Sequence, residues 1–402
     1  MRMPIPGLVS ALRPTSVPRR ITAWRTTMCA VAAAATAAGL ATLGAAGTAS
    51  AASSAPREKT PLPLTAWVAT QQGVVPISIA TNKPGRKITP NGSEPAYDMV
   101  ASRNGKTIYD ATDNTVSLIS AATHRVTRQV PIHSGEPENM VLSPNGRTLY
   151  ALSGNGVNGL VPINTATSKP GREIRVGCFE GDLVITPNGK TIYIVCPVGN
   201  AVIPVNTHTG KSGRRIPVGD FPGPIAVTPD GKTVFVGNRG SASVTPISTA
   251  GNRAGKAIPV GRFPQAIAVT PNGNTALVAN NVDNSVTPVN TRTRKAGPAI
   301  PVGGGPFAIA ITPNGKTAYV ANDVSKSVTP INVITRQPGP AIGVGLGPTW
   351  IAITPDGKTA YVANSGDGHV DAHTVTPIRT ATDKAGRGIP IGINAYFILI
   401  AR

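Results

Sequence analysis

Aromatic residues make up only 4% of this chain, and histidine occurs five times in 402 residues. That scarcity leaves little with which to stack single-stranded nucleic-acid bases, so sequence-specific nucleic acid is not an expected partner. No Gly-x-Ser-x-Gly, His-Glu-x-x-His, phosphate-loop or Cys-x-x-Cys pattern occurs. The nucleophile-elbow, zincin, nucleotide-binding and dithiol signatures are therefore missing, and a non-enzymatic chain is expected. Acids are also scarce, with 18 Asp and Glu against 38 Lys and Arg, for a formal charge of +20. Beyond the N-terminal segment no stretch keeps a helical period.

Residues 1–51 read as an export signal. Arg13, Arg19, Arg20 and Arg25 form a basic region, an Ala-rich apolar run begins at Met28, and Ala49-Ser50-Ala51 fits a small-x-small cleavage site. The Arg19-Arg20 pair admits twin-arginine export beside the general route. Cleavage removes five arginines and no acid, which leaves the mature chain near +15. Residues 52–65 read as a linker and 66–402 as the folded domain. The expected product is a monomer, secreted or held at the cell envelope, with no transmembrane anchor after cleavage. Its two cysteines, Cys178 and Cys196, either form a disulfide, as export permits, or serve as two small buried apolar groups.

What the chain does have is repetition. Thr-Pro-Asn/Asp-Gly-Lys-Thr or a close variant starts at Ser102, Ser143, Thr186, Thr228, Thr270, Thr312 and Thr354, at spacings of 41, 43, 42, 42, 42 and 42 residues. A period near 40 with short apolar strands signifies a radial array of small sheets. In one repeat Phe307–Thr312, Ala318–Asn322, Ser327–Asn332 and Ala341–Val344 read as four strands joined by short turns, an antiparallel meander. Inner strands fall near Ala96, Glu138, Asp182, Pro224, Ala266, Phe307, Trp350 and Tyr396, which makes eight repeats. The expected fold is all-β: an eight-bladed β-propeller of four-stranded antiparallel blades. Because the chain opens on a second strand (Ala66–Ala69) and ends on a first (Tyr396–Ile400), the C-terminal strand should pair with the three N-terminal strands and close the ring. Prolines 76, 162, 204, 246, 288, 330 and 377 sit inside third strands, with Leu118 in their place once. Proline cannot donate to a ladder, so the fourth strand should be short or bulged and leave the third half-exposed there.

Tyr319-Val320-Ala321-Asn322 and Tyr361-Val362-Ala363-Asn364, with the Thr-Pro-Asn/Asp-Gly-Lys-Thr turns and the Val-Thr-Pro-Ile strands, resemble the YVTN-type β-propeller repeat of secreted and cell-surface bacterial proteins. The resemblance covers Ala66 to the C-terminus. It implies a propeller with a ligand position at the channel mouth, and leaves open binding modules, lactonases and quinoprotein dehydrogenases.

In a meander the first and third turns of every blade leave by one face. That face gathers the bases, with Lys211, Arg214, Arg215, Arg292, Arg294 and Lys295 as the expected contacts of an anionic envelope polymer. The other face takes most acids. Glu136, Glu138, Glu180 and Asp182 with Phe221, Phe263 and Trp350 are candidates for the channel mouth, where aromatics beside acids could cradle a glycan, a cation or a surface protein. Packing between blades accounts for the same aromatics. A five-residue insertion places His369, Asp371 and His373 in alternation, a donor set for a divalent metal ion; a solvated loop extension is the plainer reading and the one preferred. The primary reading is a binding or scaffolding module at the envelope without a cofactor, and the alternative is a lactonase-like, metal-assisted hydrolase at the channel mouth.

Overall fold

In the computed structural model, which describes residues 62–401 apart from 91–95, 155–158, 178–180, 367–372 and 393, every repeat is set by its first turn. The Thr312 hydroxyl donates to Asn314 Oδ1 at 2.7 Å, and the same oxygen accepts the Lys316 N–H at 2.9 Å. Gly315 takes φ of 70° and donates to the Thr312 carbonyl at 2.8 Å. Threonine and asparagine thus wire the turn, proline presets it, and glycine occupies the left-handed position. Asp230 and Asp356 take the asparagine's role in two repeats.

Each turn joins an inner strand to a second strand, followed by a third and a short outer one. Eight such sheets form, here numbered as blades in chain order. The inner strands are Ala395–Ala401 for blade one, then Asp98–Ala101, Pro137–Leu142, Leu183–Ile185, Pro222–Val227, Pro264–Val269, Pro306–Ile311 and Pro348–Ile353. The ring closes as expected. Ala395–Ala401 pairs antiparallel with Thr65–Thr70, with Trp67 opposite Leu399 and Ala69 opposite Phe397. The sheet is completed by Gly73–Ser78 and Lys83–Pro84.

The outer strand does break at the proline, but the third strand is not left half-exposed. In blade seven Ile331 and Asn332 pair with Gln337–Pro338, and Ser327 and Val328 pair with Ile342–Gly343. Between the two pieces the Gly339 N–H donates to the Pro330 carbonyl at 2.7 Å. A Cβ on Gly339 would lie 3.1 Å from Pro330 Cγ, so the bare glycine backbone closes over the ring. All these prolines except the half-buried Pro162 are buried for this reason. In blade two, with Leu118 in the proline's place, one outer strand, Arg125–Pro131, runs past it, with a register shift between Leu118 and Ile119.

Sheet faces meet only neighbouring blades, so the core is a set of slabs. One contains Leu277, Ala279 and Val286 of blade six with Ile309, Val320 and Ile331 of blade seven. The Tyr-Val-Ala-Asn stretch supplies the fasteners. Tyr193, Tyr319 and Tyr361 donate their hydroxyls to Asn252, Asp383 and Asn82 of the next blade at 2.5, 2.5 and 2.6 Å. The recipients hold φ of 50°, 52° and 52°. Asn322 Nδ2 ties its own blade together, donating to Ser327 Oγ at 3.2 Å and Thr329 Oγ1 at 2.9 Å.

The Tyr361–Asn82 bond crosses the closure, so two variants test it at different scales. Deleting the last ten residues removes the inner strand of blade one and should abolish cooperative unfolding or cause aggregation. Tyr361→Phe should cost only about 1 kcal/mol. Unchanged melting of the truncated chain would refute the closure.

Candidate functional site

Two surfaces follow from this topology. The first and third turns of every blade share one face, since Thr317 pairs with Asn332 at that end and the Val333 N–H donates to Lys316 O. Lys211, Arg214, Arg215, Arg292, Arg294 and Lys295 are all exposed on it or on its rim. Arg215 is partly engaged, donating through Nη2 to Gly177 O at 2.6 Å. Lys232–Asp230 and Lys358–Asp356, at 3.9 and 3.8 Å, are the ion pairs of this face among the described residues. Both are solvent-exposed and contribute little. The opposite face carries Asp113, Glu136, Asp220 and Asp283, the last bound to Arg262 at 2.6 Å.

The channel-mouth residues separate into groups the sequence did not distinguish. Trp350 is buried in the wall between blades eight and one, 4.5 Å from Phe397, with its indole N–H on Ile398 O at 3.2 Å. Asp182 is buried and accepts the Leu183 N–H at 2.8 Å. Phe221 is 44% exposed at φ of 48°. Phe263 is half-buried, with the Arg239 guanidinium 5.6 Å from its ring centre. Glu138 is half-buried over Gly154, where a Cβ would come within 2.5 Å of its Oε1. Glu136 is half-buried, and its backbone carbonyl accepts the Gly154 N–H. Glu180, His369 and Asp371 lie outside the described residues. His373 is 8% exposed, and its Nδ1 has no partner among them. Cys196 is disulfide-bonded; its expected partner, Cys178, also lies outside.

The structure adds Asp98, Asp110 and Arg239. Asp98 straps blade two to blade three, accepting the Met99 N–H at 2.8 Å and the Met140 N–H at 2.7 Å. One blade on, Asn139 reaches Gly181 O at 3.1 Å. One further, Asp182 faces the Ile225 N–H of blade five without closing a hydrogen bond. Arg239 is 8% exposed and occupies the space beside Gly223, whose Cβ would lie 2.5 Å from its Cζ. Asp110 was detectable in principle: it is a lone acid in a strand position where the other repeats carry Ala, Val or Ile.

Burial dominates the charge state of these acids. Desolvation raises the Asp98 pKa to about 7 against the two N–H bonds that favour the anion. Asp110 is driven well up by burial and by the Asp98 charge, and Asp182 well up by burial, opposed by the Leu183 N–H and Arg239. Protonated acids in a dry site are poor metal ligands. No cluster of three His, Cys, Asp or Glu suited to a metal occurs among the described residues.

The sequence matches the family model described as a YNCE-like beta-propeller over residues 16–352. The chain belongs to the YNCE-like β-propeller family. No curated protein matches it in sequence. Among solved structures it is similar to a Kuenenia stuttgartiensis hydrazine synthase chain, with a TM-score of 0.57, 24% identity, and coverage of 72% of this chain and 96% of that one. It is also similar to the dihydro-heme d1 dehydrogenase NirN in complex with DHE, with a TM-score of 0.69, 14% identity, and coverage of 87% and 77%. A protein of unknown function from Desulfotomaculum acetoxidans DSM 771 gives 0.56, 16%, 84% and 99%. At these identities the likeness concerns the fold alone.

The carboxylate cluster gives a pH prediction. The unfolded chain releases the Asp98 proton near 3.8, whereas the folded chain keeps it to about 7. The contribution of this group to stability is therefore largest below about pH 4, falls as pH rises, and is gone above about 7. The ceiling for this group is about 4 kcal/mol. Asp110 and Asp182 add the same sign. Asp230, Asp283 and Asp356 have lowered pKa values and oppose it, but they are solvated and count for less. Denaturant midpoints between pH 4.5 and 8 should fall, and Asp98→Asn should flatten the slope; an unchanged slope would refute the assignment.

Proposed function

We propose that this protein is an exported propeller that works by binding: its basic face holds an anionic polymer of the bacterial cell envelope, and the ring serves as a rigid scaffold. The observation that carries the reading is the accessibility of that face. Its bases stand on rigid turns, exposed, and few are neutralised by acids of the same surface. Such a field concentrates a polyanion and makes its affinity salt-dependent. The YVTN-type repeat resemblance, the export signal read in residues 1–51 and the charge expected after its cleavage support an envelope location.

The buried acids fit the binding reading as well. Asp98 is committed to holding blade two to blade three, and burial raises the pKa values of Asp98 and Asp182, which favours the neutral acid over a metal ligand. The Asp98 charge acts on both Asp110 and Asp182, and these buried acids are what the alternative, a lactonase-like hydrolase assisted by a divalent metal, would have to use. Calorimetric titration with Zn²⁺, Mn²⁺ and Ca²⁺ separates the two. The binding reading expects no stoichiometric uptake that Asp182→Asn removes, and such uptake would favour the hydrolase.

The primary reading is tested with purified mature protein and poly(glycerol phosphate). Binding should be measurable at low salt and fall steeply toward physiological ionic strength. Charge reversal of Lys211, Arg214 and Arg215 to Glu should weaken it, while Arg262→Glu on the opposite face should change it little. Binding that ignores salt, or none at low salt, would return the basic face to a solubilising role.

A further inference from the structure

The basic face is not uniform. The turn between third and outer strand is fixed by an asparagine that caps two N–H groups: Asn290 accepts from Arg292 and Thr293, and Asn332 from Ile334 and Thr335, at 2.8–3.1 Å. The turn's last residue takes a left-handed conformation. In blades six and seven that residue is an arginine, Arg294 at φ of 56° and Arg336 at φ of 60°. The equivalent residues elsewhere are Asn82, His124, Ser168, Gly210, Asn252 and Asp383.

A left-handed backbone aims these two side chains back across the junction to the preceding blade. There the outer strand has broken at its proline, and a glycine lies in the gap. A Cβ on Gly255 would stand 3.0 Å from Arg294 Nη1, and one on Gly297 would stand 2.8 Å from Arg336 Nη1. Each guanidinium therefore rests on bare glycine backbone beside Pro246 or Pro288. Both arginines remain exposed. The seats are successive, on the blade five–six and six–seven junctions.

We propose that Arg294 and Arg336 form a two-seat track that binds phosphodiester groups of one envelope polymer chain. The proposal rests on the polyanion reading above and narrows it to one sector and one chemistry. A guanidinium offers a planar fork to an anion that presents two oxygens side by side. Its capped turn and glycine seat have already restricted its rotamers, so binding costs less ordering entropy than it would for a free surface lysine. Because the forks are held close against the rim, a polymer with charge in its main chain can lie across both junctions. A polymer whose charges end long side chains gains less from a fixed spacing.

Neither test variant changes the net charge. Arg294→Lys with Arg336→Lys keeps both positive charges and removes the forks. Gly255→Ala with Gly297→Ala keeps the arginines but fills their seats; φ is not positive at either glycine, the nearest atom is the far end of the arginine, and the proline ring stands 3.3 Å away. Each pair should weaken poly(glycerol phosphate) binding about tenfold; the lysine pair should leave the melting temperature unchanged, and the alanine pair should lower it only slightly while the protein stays folded. Replacing Arg253 and Arg387, exposed bases without such seats, with glutamine should weaken binding less despite the lost charge. Poly-glutamate of equal length should bind the wild type more weakly and be insensitive to the glycine variants. Lysine variants that bind like the wild type, or poly-glutamate that binds as well and responds equally, would overturn the track while leaving the polyanion reading intact. A wild-type protein that binds neither polymer at low salt would overturn both.

Discussion

The structure depends on one constraint: a blade can bury its two faces only against its neighbours. No blade owns a core, so the apolar side chains of the second and third strands gain their transfer free energy, roughly 1.5–3 kcal/mol for each large one, only when the next blade is in place. A linear array would leave two such faces in water. The pairing of Ala395–Ala401 with Thr65–Thr70 removes both ends at once. Placing the chain's first and last segments in one sheet also makes closure a condition of stability. The Tyr361–Asn82 bond continues across this junction the strut that Tyr193 and Tyr319 make elsewhere, so the seam reproduces that contact.

Closure fixes the blades radially and leaves the rim to a second device. A proline in the third strand lacks the N–H that a continuous outer strand would need. The chain answers by splitting that strand and passing a glycine over the ring. Blade two is an internal control, since Leu118 restores a single outer strand. The broken rim has consequences beyond the ladder. It protects the edge from pairing with another chain, and at two junctions it creates the glycine surface on which Arg294 and Arg336 rest.

The fold could be read from the sequence because each repeat states the same local physics. Thr-Pro-Asn-Gly turns and period-two strands recur at a fixed spacing, and the count of inner and second strands dictates the closure. The placement of side chains was less accessible, for identifiable reasons. Trp350 and Phe221 both read as mouth aromatics, yet they stand at different repeat positions: Trp350 lies inside its inner strand, in line with Pro224, and is buried, whereas Phe221 precedes its strand, in line with Gly347, and is exposed. Asp182 reads as a mouth acid and Asp98 is not singled out, because the Met140 and Ile225 N–H groups they face in the next blade have no sequence mark. The glycine seats were equally hidden, since the two partners stand about one repeat apart and meet only through the turn's left-handed residue.

The position occupied by Asp98, Asn139 and Asp182 divides the ring. In the following blades it holds Pro224, Ala266, Ala308, Trp350 and Phe397. Blades two and three are therefore strapped to their successors by hydrogen bonds, blade four sets Asp182 against blade five without closing one, and blade eight meets blade one through Trp350, packed on Phe397 and hydrogen-bonded to Ile398 O. A carboxyl used as a strap is held dry and tends to keep its proton, which makes that sector sensitive to pH and reduces its capacity for ligand chemistry. The bases on the other face are in the reverse condition: solvated, permanently charged and mostly uncommitted to neighbouring side chains. The same duplication thus yields two kinds of charge. The acids hold the ring together, and the surface left to meet another molecule is the basic one.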